Sequence, residues 1–581
     1  MEIVSSILIL LLCVALSSAA AKIVPFRLPL PLVQIAIGIL LSLPLFGVDS
    51  NTAIIKLDFD PEVFMLLFIP PLLFADGWHI PKKAFFQQQP LILAMALGLV
   101  VVNVLILGTV IHLLIKDIPY GAGFALAAVL APTDAVAVAG IFGERYVPKN
   151  LMNLLQGEAL INDASGLIAL NFAYKATIAA VLITAGIQNH QLSTFSLWAI
   201  PQNFLISAVG GILIGLLINM IYNLILEKLT NMGGEDITTQ TLLLLILPFA
   251  AFILARYLNV SGVLAVVAAG IAQSYNDTSI NRQLASRLHS RSIWHTLEQS
   301  FNGIVFILLG LQFAHIIDHT SAVQAAGRFS IDSNSVAFAY VILIGTAMLA
   351  IRFGWVLLLE KITVYQARRK NKEPYFQGIR AVAIITFAGV RGTISLAAAL
   401  SIPIIITGTN ITFPQHSVIV FLAASIILFT IICAVIALPL LMIGLEQNQE
   451  ETLQEMEEHT EILRQCILNA LEAIETTYQE LINNLDDQDD QEILDLAYAN
   501  TRRYYENRLI IIETDHDLYQ HKQQSLLTEN ILFLKGLHAE RHTLQQLKRS
   551  SKIDQEMFTE KMHNLDLLEA SVQSLQNHHY L

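Results

Sequence analysis

The stretch 156–171, QGEALINDASGLIALN, places Glu158, Asn162 and Asp163 at the head of an apolar run that continues past Ala180. A carboxylate inside a membrane span costs roughly 2.5–3.5 kcal/mol to insert, so it is rarely kept without a use. Here two carboxylates and an amide fall within six residues. On a helix, Glu158 and Asn162 share a face, and Asp163 lies about 100° round from Asn162. A polar helix end at the interface, or a satisfied buried pair, would account for one acid. It accounts poorly for this cluster beside the further membrane acids below, so the cluster is the candidate site.

Composition agrees with a membrane setting. Of 581 residues, 55% are hydrophobic and 14% charged, with mean hydropathy +0.59. Soluble domains carry about 25% charged residues. Residues 1–445 have a net charge of +3, whereas residues 446–581 hold 11 basic and 27 acidic side chains, a net −16. The expected organisation is therefore a membrane domain over 1–445 and an acidic helical cytoplasmic domain over 446–581. Cys13, Cys433 and Cys466 are too scattered for a disulfide framework or a metal site.

Residues 2–21 end in small residues but lack the positive n-region of a signal peptide, and read as a retained first helix. About twelve more runs of roughly 20 residues follow, so some thirteen spans are expected. With the N-terminus outside, the inside loops carry sixteen Lys and Arg and the outside loops four (Lys56, Lys116, Arg256 and Arg328). That bias places the tail in the cytoplasm of a cell-membrane protein.

Three spans carry breaking residues. Pro70 and Pro71 precede Asp76 in IPPLLFADGWHI and weaken the third span. The fifth span reads AAVLAPTDAVAVAGIFG, where Pro132 removes a donor beside Thr133 and Asp134. The twelfth reads ITFAGVRGTISLAAAL, with Gly389 and Gly392 around Arg391. Irregular backbone at membrane depth survives only where protein or a wet cavity satisfies it. Interrupted spans in both halves point to a transporter of inverted repeats around a midplane site. The fold class is thus all-α and polytopic, with two interrupted crossing helices.

PTDAVAVAGIFG, QGEALINDASGL and FAGVRGTISLAAALSIP, in this order and spacing, resemble the sodium/proton exchangers, especially the bacterial NhaP-like branch. The resemblance implies a thirteen-helix homodimer exchanging one cation for one proton. It implies that Asp163 carries the ion or proton and that Thr133 and Asp134 lie in the unwound crossing. It further implies that Glu158 pairs with Arg391 and that Asn162 holds the site together. Two positions depart from the pattern. Ala135 stands where many relatives have Pro, and Ala159 where archaeal relatives have a Ser hydroxyl for the ion. Relatives with two adjacent aspartates are generally electrogenic, so Asn162 implies electroneutral exchange.

The chemistry stands beside the resemblance. A hard monovalent cation needs several oxygen ligands, which Asp163 and the hydroxyl and carbonyls around Thr133 supply. A partly desolvated carboxylate lets H⁺ and Na⁺, or K⁺ or Li⁺, compete for one group. Arg391 would offset Glu158 or the negative ends of interrupted helices. Asp76 is an accessory acid. Lys175, about 18 Å along the helix from Asp163, is expected to reach an interface instead. Alternatives are a cation channel, which lacks a recognisable filter loop, and a membrane sensor signalling through the tail, for which buried acids have no use. No nucleophile, metal cluster or phosphate loop points to an enzyme. No cofactor and no nucleic-acid partner are expected, only ions, protons and lipids. In the tail, apolar residues from Leu453 to Leu481 recur in steps of three and four, an amphipathic helix ending at the acidic run 486–490. Further helical patterns run over 493–512, 526–547 and 557–575.

Overall fold

The computed structural model describes residues 2–23, 29–42, 61–142, 147–184, 199–232, 237–276, 284–325, 334–370, 376–403, 412–443, 449–483 and 488–513, with short pieces between 533 and 569. The loop charges Arg27, Lys56, Arg145, Arg282, Arg328 and Lys372 lie outside the described residues. So do most of the tail patterns beyond residue 513. The chain divides into two compact units, Met1–Glu446 and Gln447–Leu581.

The first unit is built of helices. Six among the described residues are long and apolar enough to cross a membrane, and four shorter apolar helices accompany them. In chain order the helices of this unit begin with α1 (Glu2–Ile23), α2 (Leu30–Ser42), α3 (Pro61–His79), α4 (Lys82–Gln87) and α5 (Gln89–Leu114). The half-helices α6 (Tyr120–Val129) and α7 (Ala135–Phe142) lead into the long α8 (Lys149–Thr184). Then come α9 (Ala199–Asn231), α10 (Ile237–Tyr257), α11 (Gly262–Asn276), α12 (Leu284–Ala325) and α13 (Asn334–Lys370). A second pair of half-helices, α14 (Ile379–Phe387) and α15 (Thr393–Leu400), precedes α16 (His416–Met442).

Packing sorts these helices into two bundles. α1, α2, α3 and α9–α12 pack mainly on one another, as do α5–α8 and α13–α16. The interrupted helices both belong to the second bundle, with α8 beside α6 and with α14 and α15 against α16. Exposed Leu, Ile, Val and Met side chains line α9, from Leu205 and Leu213 to Met220 and Leu224. In a membrane protein that face has lipid as its solvent.

The third span differs from the expectation. α3 runs unbroken through Pro70 and Pro71 to His79. Both prolines are buried, and neighbouring helices hold the backbone in line where two intrahelical bonds are missing. Distortion falls instead in α5, which nothing in its apolar sequence announced. Residues 94–98 and 103–107 of α5 form wide π-turns. Side chains from the same bundle take carbonyls of the first: Trp355 Nε1 donates to Ala94 O at 3.1 Å and Ser165 Oγ to Ala96 O at 2.7 Å. The π-turn thereby ties α5 to α8 and α13.

The second unit begins with an antiparallel-patterned pair, α17 (Gln449–Asn483) and α18 (Gln488–Glu513), which pack on each other. The expected amphipathic helix is α17. The acidic run does not separate the helices completely, because α18 already starts at Gln488 within it. Acidic side chains favour a helix N-terminus, where the dipole is positive. Tyr478 and Tyr498 stack with centroids 4.2 Å apart, Tyr478 Oη donates to Asp495 at 2.7 Å, and Tyr498 Oη donates to Glu475. That hydrogen bond holds the Glu475 carboxyl below its usual range, with Gln479 adding to it.

Candidate functional site

The two interruptions meet. After Val129 the chain leaves the helix through Leu130–Asp134, and after Phe387 through Ala388–Gly392. The Asp134 N–H donates to Val390 O at 2.8 Å, so one extended segment satisfies the other. Asp134 Oδ1 accepts from the Ala137 N–H at 2.8 Å and so caps α7. On the second segment, the Arg391 N–H donates to Thr430 Oγ1 at 3.2 Å. Gly392 has no room for a side chain: a Cβ there would overlap the Asp134 carboxylate.

α8 supplies the third strut. The Thr133 N–H donates to Asn162 Oδ1 at 3.3 Å, and Asn162 Nδ2 donates to Thr133 Oγ1 at 2.6 Å. One amide thus replaces helical partners that the break at Pro132 withdrew. Arg391, 1% exposed, donates from Nη1 to Pro132 O at 3.3 Å, as does Ser395 Oγ at the same distance. This serves the carbonyl end of the broken helix, one of the two tasks expected of Arg391.

The other task falls elsewhere. Glu158 pairs with Arg352 of α13, not with Arg391. The guanidinium grips the carboxylate with both forks, at 2.5 and 2.8 Å, and each side chain is 1% exposed. Arg352 Nε also donates to Ile385 O at 3.1 Å, in the last turn of α14. Gly389 makes this possible, since a Cβ at that position would collide with the guanidinium. Arg352 therefore ties α13 and α8 to the end of a half-helix whose carbonyls have lost their successors. Its signal in the sequence is a lone arginine amid TAMLAIRFGWVLLL, which carries the same kind of insertion penalty as Asp163.

Asp163 is 3% exposed and its Oδ1 has no hydrogen-bond partner among the described residues. It borders a cavity of about 210 Å³ that reaches the crossing. Thr133, Asp134 and Ser395 line the cavity from the second bundle. Asp76 and His79 of α3, with Glu298 and Asn302 of α12, line it from the first. Thus Asp76, Thr133, Asp134 and Asp163 share one space, while Glu158, Asn162 and Arg391 stand behind it. Asp76 lies close enough to feel the charges of Glu298 and Asp134, as Asp163 feels those of Asp76 and Asp134. Four carboxylates around one cavity repel one another unless a cation or a proton lies between them. Among the described residues, no three His, Cys, Asp or Glu side chains are close enough to chelate a metal. Lys175 is exposed, away from this space.

Residues 7–444 match the family described as sodium/hydrogen exchanger, transmembrane. The chain belongs to that family. It is 39% identical to an uncharacterized Na⁺/H⁺ exchanger YjcE of Escherichia coli (strain K12), over 98% of this chain and 99% of that one. It is 33% identical to a sodium, potassium, lithium and rubidium/H⁺ antiporter of Bacillus pumilus, over 98% of this chain and 78% of the relative. The fold is similar to that of the sodium proton antiporter MjNhaP1 from Methanocaldococcus jannaschii (TM-score 0.52, 18% identity), covering 77% of this chain and 99% of that one. This exchanger is accordingly a multi-pass helical membrane transporter, and not an enzyme.

Proposed function

We propose that this exchanger moves Na⁺, and also K⁺ or Li⁺, against H⁺ by alternating access, with Asp163 as the shared carrier of cation and proton. The observation that carries this reading is the unpartnered Oδ1 of a 97%-buried Asp163 on a cavity at the crossing of two broken helices. A carboxylate kept so dry and unpaired is stable only when a proton or cation completes it. Asp134, Asp76, the Thr133 hydroxyl and nearby carbonyls complete an oxygen shell of the kind hard cations take. The broad cation range in the name of the Bacillus pumilus relative supports including K⁺ and Li⁺.

One carrier carboxylate exchanges one positive charge for another, so transport is electroneutral. Asn162 fits this, because its amide is uncharged and engaged with Thr133. His79 and Val136 are the exposed residues of the cavity lining, so the cavity opens at the end of α3 that leads into the exposed Lys83. By the positive-inside rule that side is cytoplasmic, which puts the N-terminus outside and the acidic tail within the cell. The assembly unit is a homodimer in the cell membrane, serving pH and cation homeostasis, and the tail adjusts rather than performs transport.

The test is Asp163→Asn in proteoliposomes. Asn can neither hold a proton nor neutralise a cation, so cation-coupled proton flux should vanish while the protein stays folded. Retained flux would overturn the reading.

A further inference from the structure

The cavity has two unlike walls. Asp163, Asp134 and Thr133 belong to the bundle that contains the interrupted helices, and Asp76 and Glu298 to the one that faces it. Glu298 lies well inside α12, at the start of the apolar run FNGIVFILLG, and is half-buried. Its carboxylate makes no hydrogen bond or salt bridge with a described residue; His295, a turn earlier, Asp76 and Asp134 are the charges it feels. Asn302 follows four residues later, on the same face and in the same cavity. Among the described residues, such an acid has no structural partner to justify its insertion cost. The second, independent feature is Asp163 across the cavity, deeply buried with one oxygen free.

We propose that Glu298, supported by Asn302, receives the monovalent cation on one face of the membrane only. It holds a partly hydrated ion near the mouth before Asp163 takes it. When the bundle bearing Asp163 turns towards the opposite face, Glu298 stays behind with α12. The cation there meets Asp163 without this second carboxylate, and apparent affinity differs between the faces. This rests on the transport reading above and assigns Glu298 a part that reading does not need.

The experiment uses full-length protein in uniformly oriented proteoliposomes, with Na⁺ supplied to one face at a time at fixed pH. Glu298→Gln removes the charge and keeps the shape; Glu298→Asp keeps the charge. One unit charge several ångströms from the ion, at intermediate dielectric, changes binding on the order of tenfold. The Michaelis constant for Na⁺ at the cavity-mouth face should therefore rise about tenfold in Glu298→Gln. It should stay near wild type at the opposite face, and Glu298→Asp should restore most of the difference. Equal changes at both faces, or none at either, would overturn the proposal. Absence of exchange in the wild-type protein would instead sink the transport reading itself, so the two failures are distinguishable.

Discussion

Asn162 and Asp163 are neighbours with opposite fates. The amide is spent on Thr133, and the carboxylate is left open to the cavity. Asn162→Asp would offer two acceptor oxygens to the Thr133 N–H and hydroxyl, so the crossing should hold. It would also add a second titratable carboxylate beside the first. Exchange should persist but become electrogenic, seen as a cation-dependent current on a supported membrane where the wild type gives none. For the buried pair, removing one partner strands the other at a cost of about 3–5 kcal/mol. Glu158→Gln and Arg352→Gln should each lower thermal stability by that order, with the double variant recovering part. Simple addition of the two losses would show that the pair is not coupled. The acids were legible because each interrupts an apolar run. Glu158's partner was not, because two arginines 39 positions apart in sequence are equally buried, and only the bulk-free Gly389 lets Arg352 through.

At the scale of elements, the interruptions were legible and the continuity was not. APTD and GVRG each combine a breaking residue with a polar one, and both leave the helix where expected. Pro70 and Pro71 look more disruptive still, yet α3 passes through them because it is buried against neighbours. The first π-turn of α5 leaves no trace in its sequence, since the groups that take its carbonyls, Ser165 and Trp355, lie on other helices. The close contact of the two extended segments also has a checkable consequence. Gly392→Ala must displace either the Asp134 carboxylate or the backbone beside it. Overpacking of this kind costs about 1–3 kcal/mol. The variant should fold with reduced thermal stability and lose most of its exchange in proteoliposomes. Wild-type exchange would mean that Asp134 need not stay where it is.

At the scale of the molecule, the division at residues 446 and 447 coincides with a change from near-neutral apolar sequence to strongly acidic sequence. Every residue lining the cavity lies in the first unit. Truncation after Gln447 should therefore leave exchange intact in proteoliposomes while changing its dependence on internal pH. Total loss in well-folded protein would make the second unit part of the transport machinery. The sorting of the remaining helices into two bundles was not readable from hydropathy, which reports that a helix meets lipid or protein and not which neighbour it meets.

The central claim is that one carboxylate, Asp163, serves cation and proton in turn. If the cation binds only the deprotonated form, its apparent affinity is the intrinsic affinity times the deprotonated fraction. Below the pH at which Asp163 takes up its proton, that fraction falls about tenfold per pH unit. The deciding measurement is exchange rate across a pH series at several Na⁺ concentrations, on full-length and tail-truncated protein. The account requires a bell-shaped profile whose acid limb moves to lower pH as Na⁺ is raised, with the Michaelis constant rising about tenfold per unit of acidification and the maximal rate retained. An acid limb that stays fixed as Na⁺ increases would contradict competition at Asp163.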